Sequence, residues 1–249
     1  MSSPEIGLGT TLLRRCELTP DLPALSFEGE TLDYATLGRR VQQLAGALRR
    51  AGVNRCDRVA FLGANHPVFL EALYAAACIG AIFVPLNFRL TGPELLYIVN
   101  DAGVHTLIAD DLRIPVVEGI RASLCCRHYV AAEQPAAGWT PLPDFLAGAR
   151  PVVQPETTGA DDTALIMYTS GTTGHPKGAM LTHGNIFWNN VNARFGPENL
   201  ALDVSLTCAP LFHIGGLNVT TLISFQGGGH VVLLRNFDPG MVLEHIARY

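Results

Sequence analysis

Short apolar runs alternate with helix-like segments through the first half of the chain. Three of the runs occupy residues 58–65, 81–87 and 104–111. The two segments between them begin near Pro67 and Pro93, and proline is favoured in the first turn of a helix. Since strands that are connected by helices pair in parallel, this alternation predicts an α/β fold of mainly parallel sheets flanked by helices.

Residues 30–53 show a clear helical periodicity of apolar residues. The apolar positions at helical spacing are Leu37, Val41, Leu44, Ala45 and Leu48. This spacing predicts an amphipathic helix with one buried face, and Gly52 is expected to follow its end.

The alternation of strands and helices resumes in the second half of the chain. Residues 133–162 interrupt it with five prolines and little periodicity, and we interpret them as a connection that contains one short helix. Beyond this connection, strands are predicted at 163–168, 203–211 and 230–236, and helices at 182–196, 215–228 and 238–249.

The charge and the cysteines argue against several classes of protein. The formal net charge is −5 and the 17 lysines and arginines are spread along the chain, so no basic stripe is available for nucleic acid. The six cysteines form no C-x-x-C pair and no signal peptide is recognisable, which predicts reduced thiols in a cytoplasmic protein. Residues 69–86 are apolar but contain Glu71 and Pro85, so they are interpreted as a buried helix and strand and not as a transmembrane segment.

The stretch YTSGTTGHPKGAML, residues 168–181, combines glycines, hydroxyl groups and one lysine at the end of a predicted strand. Gly171, Gly174 and Gly178 permit positive φ angles and let backbone N–H groups approach an anion. A glycine-rich turn with solvated hydroxyl groups is the alternative interpretation. The predicted junction between a strand and a helix favours phosphate binding. The predicted phosphate-binding residues are Thr169, Ser170, Gly171, Thr172, Thr173, Gly174 and Lys177.

The spacing within this loop separates it from two common nucleotide-binding motifs. Lys177 follows Pro176 and precedes Gly178, so the loop fits neither G-x-x-x-x-G-K-[ST] nor G-x-G-x-x-G. The stretch YTSGTTGHPKGAMLTHGNI instead resembles the phosphate loop of the adenylate-forming enzymes, which include acyl-CoA synthetases, luciferases and peptide-synthetase adenylation domains. AIFVPLNFRLTGPELLYIVNDAG and PLFHIGGL are similar to two further motifs of that superfamily. The resemblance covers essentially the whole chain.

The resemblance implies that residues 1–249 are the N-terminal portion of the AMP-binding large domain, with a possible subdivision into 1–150 and 151–249. It also implies the chemistry of a fatty-acyl or aryl CoA ligase. A carboxylate attacks the α-phosphate of ATP to give an acyl-adenylate and pyrophosphate, and the thiol of coenzyme A then displaces AMP. ATP, Mg²⁺, coenzyme A and a small carboxylic acid are therefore the implied ligands.

The resemblance also assigns roles to individual residues. The loop residues named above would hold the phosphates of ATP, and Thr169 would also contact Mg²⁺. His213, Gly215 and Gly216 would line the acyl pocket, whereas a core histidine bonded to a backbone carbonyl is the alternative for His213.

Several other polar and aromatic residues are assigned structural roles. Asn87 and Arg89 are expected to brace the helix that follows them, and contact with a ligand at the strand end is the alternative. Both tryptophans, Trp139 and Trp188, are expected to pack in the interior. No chemistry is assigned to His175, His183 and His230.

Members of the family are considerably longer than 249 residues. Their adenine and ribose motifs, the acidic Mg²⁺ ligand, the hinge and the lid with its catalytic lysine are not found in this sequence, so no catalytic residue is assigned. The expectation is the N-terminal part of an enzyme, with an unusual exposed apolar area. The alternative is a non-catalytic module that binds anions or is completed by another chain. The carboxylic acid and the oligomeric state stay open.

Overall fold

The computed structural model describes residues 6–169, 174–195 and 203–249. The strands of this part of the chain are β1 Pro23–Phe27, β2 Glu30–Asp33, β3 Arg58–Leu62, β4 Ile82–Leu86, β5 Val104–Ala109, β6 His128–Ala131, β7 Thr140–Pro141, β8 Thr163–Thr169, β9 Lys177–Thr182, β10 Val204–Thr207 and β11 His230–Leu233. The helices are α1 Leu8–Leu18, α2 Tyr34–Arg50, α3 Pro67–Cys78, α4 Gly92–Ala102, α5 Ile114–Glu118, α6 Leu142–Leu146, α7 His183–Arg194, α8 Ile214–Gly216, α9 Leu222–Gly227 and α10 Pro239–Arg248. A 3₁₀ turn spans Arg121–Ser123, and Leu217–Thr221 is π-helical.

The larger sheet contains seven strands of the described residues in the order β7-β6-β5-β3-β4-β8-β9. All neighbouring strands pair in parallel except β8 and β9, which are antiparallel. The helices α3 and α4 connect β3 to β4 and β4 to β5, as the alternation of apolar runs predicts. The predicted α/β fold of mainly parallel sheets flanked by helices is confirmed.

The smaller sheet has the order β10-β11-β1-β2. β1 pairs in parallel with β11, from Leu25↔Val231 to Phe27↔Leu233, although the two strands come from opposite ends of the chain. β1 also forms an antiparallel pair with β2, and the turn between them has positive φ angles at Glu28 and Gly29. Both sheets contain strands from before and after residue 150, and the possible subdivision there stays a prediction.

The larger sheet is covered by hydrophobic cores on both faces. Along β3, Val59 and Phe61 pack with α1, α2 and α3 and with the smaller sheet. Ala60 and Leu62 point to the opposite face and pack with α4 and α5. This alternation follows from the two-residue period of side chains along a strand.

The apolar stretch 69–86 forms most of α3 and all of β4, in agreement with the prediction. Every residue of α3 is buried, including the carboxylate of Glu71, which lies 3.3 Å from the guanidinium of Arg40. Burial raises the pKa of Glu71, and Arg40 opposes that shift. Among the helices of the described residues, none combines the length and the apolar character that a membrane span requires.

The helix predicted within residues 30–53 begins later than the periodicity indicated. Glu30–Asp33 is the strand β2, and the Asp33 side chain then caps α2 by accepting a hydrogen bond from the N–H of Thr36 at 2.6 Å. The predicted apolar face is buried, and Gly52 has a φ of 85° just beyond the helix. The periodicity identified the buried face, whereas the side-chain cap decides where the helix starts.

The proline-rich connection packs against α2. The side-chain amide of Gln43 donates hydrogen bonds to the carbonyl oxygens of Leu146 and Ala149 at 2.9 and 3.0 Å. The N–H of Val152 donates to the carbonyl oxygen of Gln42 at 3.0 Å. These contacts agree with a packed connection that contains the short helix α6.

Most of the large apolar side chains that are exposed lie at residue 180 or beyond it. They include Met180, Phe195, Val219, Phe237, Leu243 and Ile246, and α10 has no buried residue. Trp139 is buried as expected, but Trp188 is 58% exposed, so the expected interior packing of Trp188 is wrong. These are individual exposed side chains, and the unusual exposed apolar area stays a prediction.

Candidate functional site

A cavity of about 320 Å³ opens at the carboxyl ends of β4 and β8, which are parallel neighbours in the larger sheet. Ligands of open α/β sheets bind beyond the carboxyl ends of the strands. The wall residues come from these strand ends, from α4, from the glycine-rich stretch and from the segment before α8. They are Pro85, Leu86, Asn87, Leu90, Glu94, Ile98, Tyr168, Thr169, Pro176, Phe212 and His213.

A larger concavity, of about 680 Å³, lies around Arg49, Arg50 and Arg150 at the end of α2. It is an open surface groove that contains none of the predicted site residues. Arg49 is paired with Glu156 at 2.6 Å, and Arg50 donates to the carbonyl oxygens of Phe145 and Ala147. The smaller cavity is the candidate site, because it brings together residues from two of the sequence motifs.

The glycine-rich stretch connects two antiparallel strands. β8 ends at Thr169 and β9 begins at Lys177, and these two residues pair directly across the hairpin. The predicted junction between a strand and a helix is therefore wrong, since α7 begins only at His183. The predicted phosphate-binding residues Ser170, Gly171, Thr172 and Thr173 lie outside the described residues.

Thr169 and Lys177 lie on one face of this hairpin. Side chains of directly paired residues in an antiparallel ladder emerge on the same face, with Cβ atoms about 5 Å apart. Thr169 lines the cavity, so Lys177 is placed beside the cavity by this register. Lys177 is exposed and forms no ion pair with the described residues, which leaves its ammonium group available for an anionic ligand.

The two described glycines of the stretch have different physical roles. Gly174 has a φ of 116°, which an L side chain rarely adopts, and a Cβ there would meet nothing within 4 Å. Gly178 lies in β9 and does not use the positive φ that glycine permits. A Cβ at Gly178 would approach Ile166 to 2.7 Å and the Tyr168 ring to 3.1 Å. Glycine is needed there because these side chains cross the hairpin.

The hairpin is attached to α4 by two aromatic contacts. His175 stacks on Tyr97, with ring centroids 4.5 Å apart and an interplanar angle of 17°. The hydroxyl of Tyr168 donates a hydrogen bond to Oδ2 of Asp101 at 2.6 Å. Burial, with Asp101 as a further cause, raises the pKa of Tyr168, so this phenol stays a hydrogen-bond donor at neutral pH.

His213 is exposed and stands at the start of α8. Its Nδ1 accepts a hydrogen bond from the N–H of Gly215 at 3.2 Å. Because a neutral imidazole that accepts at Nδ1 carries its proton on Nε2, Nε2–H is a donor in this arrangement. Within the described residues, no hydrogen-bond partner is found for Nε2. The arrangement differs from the alternative of a core histidine bonded to a backbone carbonyl.

Gly215 and Gly216 differ in their surroundings. A Cβ at Gly215 would contact Nδ1 of His213 at 3.5 Å, an ordinary distance. A Cβ at Gly216 would overlap the carbonyl oxygen of Pro210 and lie 2.7 Å from that of Ala209. Because Gly216 has no Cβ, the backbone of α8 can pack closely against the segment that precedes it. A role for Gly215 or Gly216 in lining the acyl pocket stays a prediction.

Asn87 lines the cavity, and Arg89 lies two residues after it, outside the lining. Oδ1 of Asn87 accepts a hydrogen bond from the N–H of Arg89 at 2.9 Å, which turns the chain at the end of β4. The guanidinium of Arg89 lies 5.4 Å from the ring centre of Phe88 and 5.9 Å from that of Phe212. Because Asn87 lines the cavity, its position fits the alternative of ligand contact, which stays a prediction.

The sequence analysis did not assign Glu94, Tyr168 or Phe212 to the site. The T-x-x-E spacing of Thr91 and Glu94 is a recognisable capping box, in which the carboxylate accepts from the Thr91 N–H at 2.8 Å. The hydroxyl of Thr91 lowers the pKa of Glu94, so this wall of the cavity is anionic. Tyr168 and Phe212 lie within the two quoted motifs, YTSGTTGHPKGAML and PLFHIGGL, and their place in those motifs is the signal that could have found them.

The described residues do not form a metal site by themselves. No group of three or more histidine, cysteine or acidic side chains is arranged to hold a metal within the described ranges. Thr169 offers a single hydroxyl group, whereas Mg²⁺ requires six oxygen ligands and is usually bound by carboxylates together with phosphates. No step proposed below depends on a metal held by these residues.

The histidines that were assigned no chemistry have structural partners. Nδ1 of His183 accepts a hydrogen bond from the N–H of Leu8, the first residue of α1, at 3.1 Å. Nε2 of His230 lies 2.8 Å from the hydroxyl of Ser26. His183 is 1% exposed, and burial lowers its pKa to about 4. It is therefore held neutral in the folded chain.

The buried His183 should make the stability of the chain depend on pH. Between pH 6.5 and pH 4 the unfolded state binds a proton at this residue and the folded state does not, so stability falls as the pH falls. The lowered pKa of His183 corresponds to a loss of about 3 kcal/mol in the free energy of unfolding at the acidic end of this window. In urea titrations at a series of pH values, His183→Gln should lose less stability than the original chain across this window. A variant of the exposed His213, His213→Gln, is the control, and equal slopes for all three proteins would contradict the prediction.

Residues 12–249 match the AMP-binding enzyme family. Feruloyl-CoA synthase from Amycolatopsis sp is 45% identical over 240 residues, covering 96% of this chain and 46% of that protein. Indoleacetate–CoA ligase from Aromatoleum aromaticum is 38% identical, covering 94% of this chain and 46% of that protein. The chain thus spans about half the length of the curated relatives it matches.

Two solved structures have a similar fold over nearly the whole chain. ATP-bound MatB from Rhodopseudomonas palustris superposes with a TM-score of 0.87 at 29% identity, covering 98% of this chain and 48% of that one. A fatty acyl CoA synthetase from Mycobacterium tuberculosis superposes with a TM-score of 0.82 at 29% identity, covering 97% of this chain and 47% of that one.

Proposed function

Because the chain belongs to the AMP-binding enzyme family, we propose that it forms part of an ATP-dependent acid–thiol ligase that acts in the cytoplasm on a small carboxylic acid. In the first half-reaction the carboxylate attacks the α-phosphorus of ATP, and pyrophosphate leaves. In the second, the thiol of coenzyme A attacks the acyl carbon, and AMP leaves. ATP and coenzyme A are the co-substrates of this proposal, and Mg²⁺ enters it only as the ion that accompanies ATP.

The observation that carries the proposal is the meeting of two distant motifs at one cavity. Thr169, from the glycine-rich stretch, and His213, from PLFHIGGL, both line it. Their positions lie at the carboxyl ends of parallel strands, where open α/β sheets bind ligands. Lys177 stands beside Thr169 in the hairpin register and brings a positive charge to the same edge. This arrangement suits a ligand with a phosphate end and a separate organic end.

The phosphate end of the proposed site is formed by the hairpin. Lys177 and the hydroxyl of Thr169 would contact the β- and γ-phosphates, whose charge increases as pyrophosphate leaves. Little covalent chemistry is required of the protein in such a transfer, and charge stabilisation and positioning supply most of the rate. Ser170, Gly171, Thr172, Thr173 and Gly174 are proposed to add backbone N–H groups and hydroxyl groups to this end.

The acid end of the proposed site is formed by the segment before α8. A carboxylic acid is already ionised at pH 7, so its attack on phosphorus needs no general base. The Nε2–H of His213 is a donor and can hold one carboxylate oxygen while the other attacks. We propose that His213 orients the acid and does not transfer a proton.

Aryl acids are the first substrate class to test. The two relatives described above are named for feruloyl and indoleacetate substrates, whereas a fatty-acid CoA ligase relative is only 32% identical. The side chains of Tyr168, Phe212, Leu90 and Ile98 supply aromatic and aliphatic surface in the cavity. An aromatic acid would find stacking partners there that a small polar acid would not use.

The proposal is tested by acid-dependent exchange of pyrophosphate into ATP. The complete reading frame that contains residues 1–249 is expressed, and exchange is measured with a panel of aryl and fatty acids, with and without coenzyme A. We expect exchange with aryl acids without coenzyme A, and thioester formation only with it. Binding of ATP without exchange for any acid would instead favour an anion-binding module or one completed by another chain.

A further inference from the structure

Asn65 is a buried amide that joins three separate segments of the chain. It lies between β3 and α3 and is 3% exposed. Its Nδ2 donates to the carbonyl oxygens of Ala209 and Leu234, both at 3.0 Å, and its Oδ1 accepts from the N–H of Leu211 at 2.8 Å. These partners use both N–H donors and the oxygen, so they determine which end of the amide is nitrogen.

The three hydrogen bonds connect the two sheets next to the candidate site. Asn65 follows a strand of the larger sheet, whereas Ala209 and Leu234 follow β10 and β11 of the smaller sheet. Leu211 directly precedes Phe212 and His213, which line the cavity. Phe212 and His213 form one wall of the cavity. The position of this wall relative to the strand ends therefore depends on Asn65, which follows β3 of the larger sheet.

Residues 209–211 also contact the residues that follow them in the chain. The backbone at Gly216 packs against the carbonyl oxygens of Ala209 and Pro210, and the N–H of His213 donates to the carbonyl oxygen of Pro210 at 3.1 Å. These local contacts determine the shape of the turn that carries His213. The bonds to Asn65 attach this turn to the end of β3, and the contacts of Phe212 with Phe88 and Arg89 attach it to the segment after β4.

We propose that Asn65 is a positioning residue, which sets the distance between the Phe212–His213 wall and the strand ends and thereby the acid that the site accepts. The inference rests on the proposed function, because the acid end of the cavity belongs to that proposal. Asn65 does not line the cavity and acts through the backbone of residues 209–211. Without the amide, the buried carbonyl group of Leu234 and the buried N–H of Leu211 must find other partners, the part-buried bond to Ala209 is also lost, and the segment moves.

The test is the substitution Asn65→Asp, which keeps the shape of the side chain but removes both donors. A displacement of about 1 Å in a site can lower a rate about 100-fold, so we expect kcat/KM for the acid to fall roughly 10- to 100-fold. The order of preference among acids should change as well. The KM for ATP should change much less, because the phosphate end belongs to the hairpin and not to this wall.

Asn190→Asp is the matched control. Asn190 is 1% exposed, and its amide donates to the carbonyl oxygen of Leu222 at 3.3 Å and to Oε1 of Gln226 at 2.8 Å. The same chemical change in this buried amide should lower the thermal midpoint without altering the acid preference. The proposal is overturned if Asn65→Asp lowers only the thermal midpoint, or if both variants change the acid kinetics alike.

Hydrogen exchange tests the positioning role without relying on activity. Asn65→Ser retains one donor and is used if Asn65→Asp does not fold. Exchange at the Leu211 amide should become at least about tenfold faster in Asn65→Ser, because this amide loses its buried acceptor, and should be unchanged in Asn190→Asp. Unchanged exchange at Leu211 in Asn65→Ser would refute the inference. A wild-type protein that activates no acid would count against the proposed function alone, and the Leu211 exchange would still decide the role of Asn65.

Discussion

Replacement of Lys177 by alanine is expected to lower acid-dependent pyrophosphate exchange roughly 10- to 1000-fold, the scale seen when one preorganised charge-stabilising donor is removed. The physical reason is that charge accumulates on the departing pyrophosphate, and Lys177 lies beside Thr169 at the edge of the cavity. The affinity for the acid should change little, because the acid binds on the other side of the α-phosphate. The measurement is the exchange rate at saturating acid as a function of ATP concentration.

The control variants separate the charge of Lys177 from its place in β9. Met180→Ala removes an exposed side chain of the same strand and should leave the exchange rate unchanged. Lys177→Arg keeps the charge and should recover part of the rate. Lys177 is also the only lysine among the 249 residues, so labelling of this chain by pyridoxal 5′-phosphate and borohydride should map to it and be reduced by ATP.

His213→Ala should have a different effect from Lys177→Ala. Loss of the Nε2–H donor should raise the KM for the acid and change the preference among acids more than it changes the response to ATP. Equal losses for Lys177→Ala and His213→Ala with every acid would show that the division into a phosphate end and an acid end is wrong.

Gly46→Ala is expected to destabilise the chain by about 2 kcal/mol, despite the better helix propensity of alanine. A Cβ at Gly46, inside α2, would overlap the carbonyl oxygen of Arg150 and lie 2.8 Å from its carbonyl carbon. The better helix propensity of alanine stabilises the folded state by about 1 kcal/mol. Overpacking destabilises it by about 1–3 kcal/mol and occasionally by more, and we expect the upper part of this range because the backbone at Arg150 must move. The free energy of unfolding in urea measures the difference.

Gly119→Ala is the matched control for this prediction. Gly119 follows α5 with a φ of −62°, and a Cβ there would lie 3.6 Å from the carbonyl oxygen of Val116, an ordinary contact. We expect a change within about 0.5 kcal/mol, as for most surface substitutions. A Gly46→Ala variant that is more stable than the original chain would mean that the connection does not approach α2 as closely as described.

The periodicity of apolar residues was sufficient to predict the parallel part of the larger sheet. β3, α3, β4, α4 and β5 lie where their patterns placed them, because the strands and α3 are largely buried apolar runs and α4 buries one periodic apolar face. Strand β9 has no such pattern. Lys177, Gly178, Ala179 and Met180 are all exposed on this edge strand, so no alternation distinguished it from a loop, and the hairpin was missed.

By itself, the sequence determined the α/β class, the buried faces of the helices and the two motifs of the candidate site, because these depend on local spacing and composition. Only the tertiary structure decided which strands share a sheet and which residues meet at the cavity. The pairing of β1 with β11 and the hydrogen bonds between Asn65 and residues Ala209, Leu211 and Leu234 join residues far apart in the chain. Such contacts are selected by the burial of complementary surfaces and by the need to pair every buried polar group, and these conditions become definite only when the whole chain is folded.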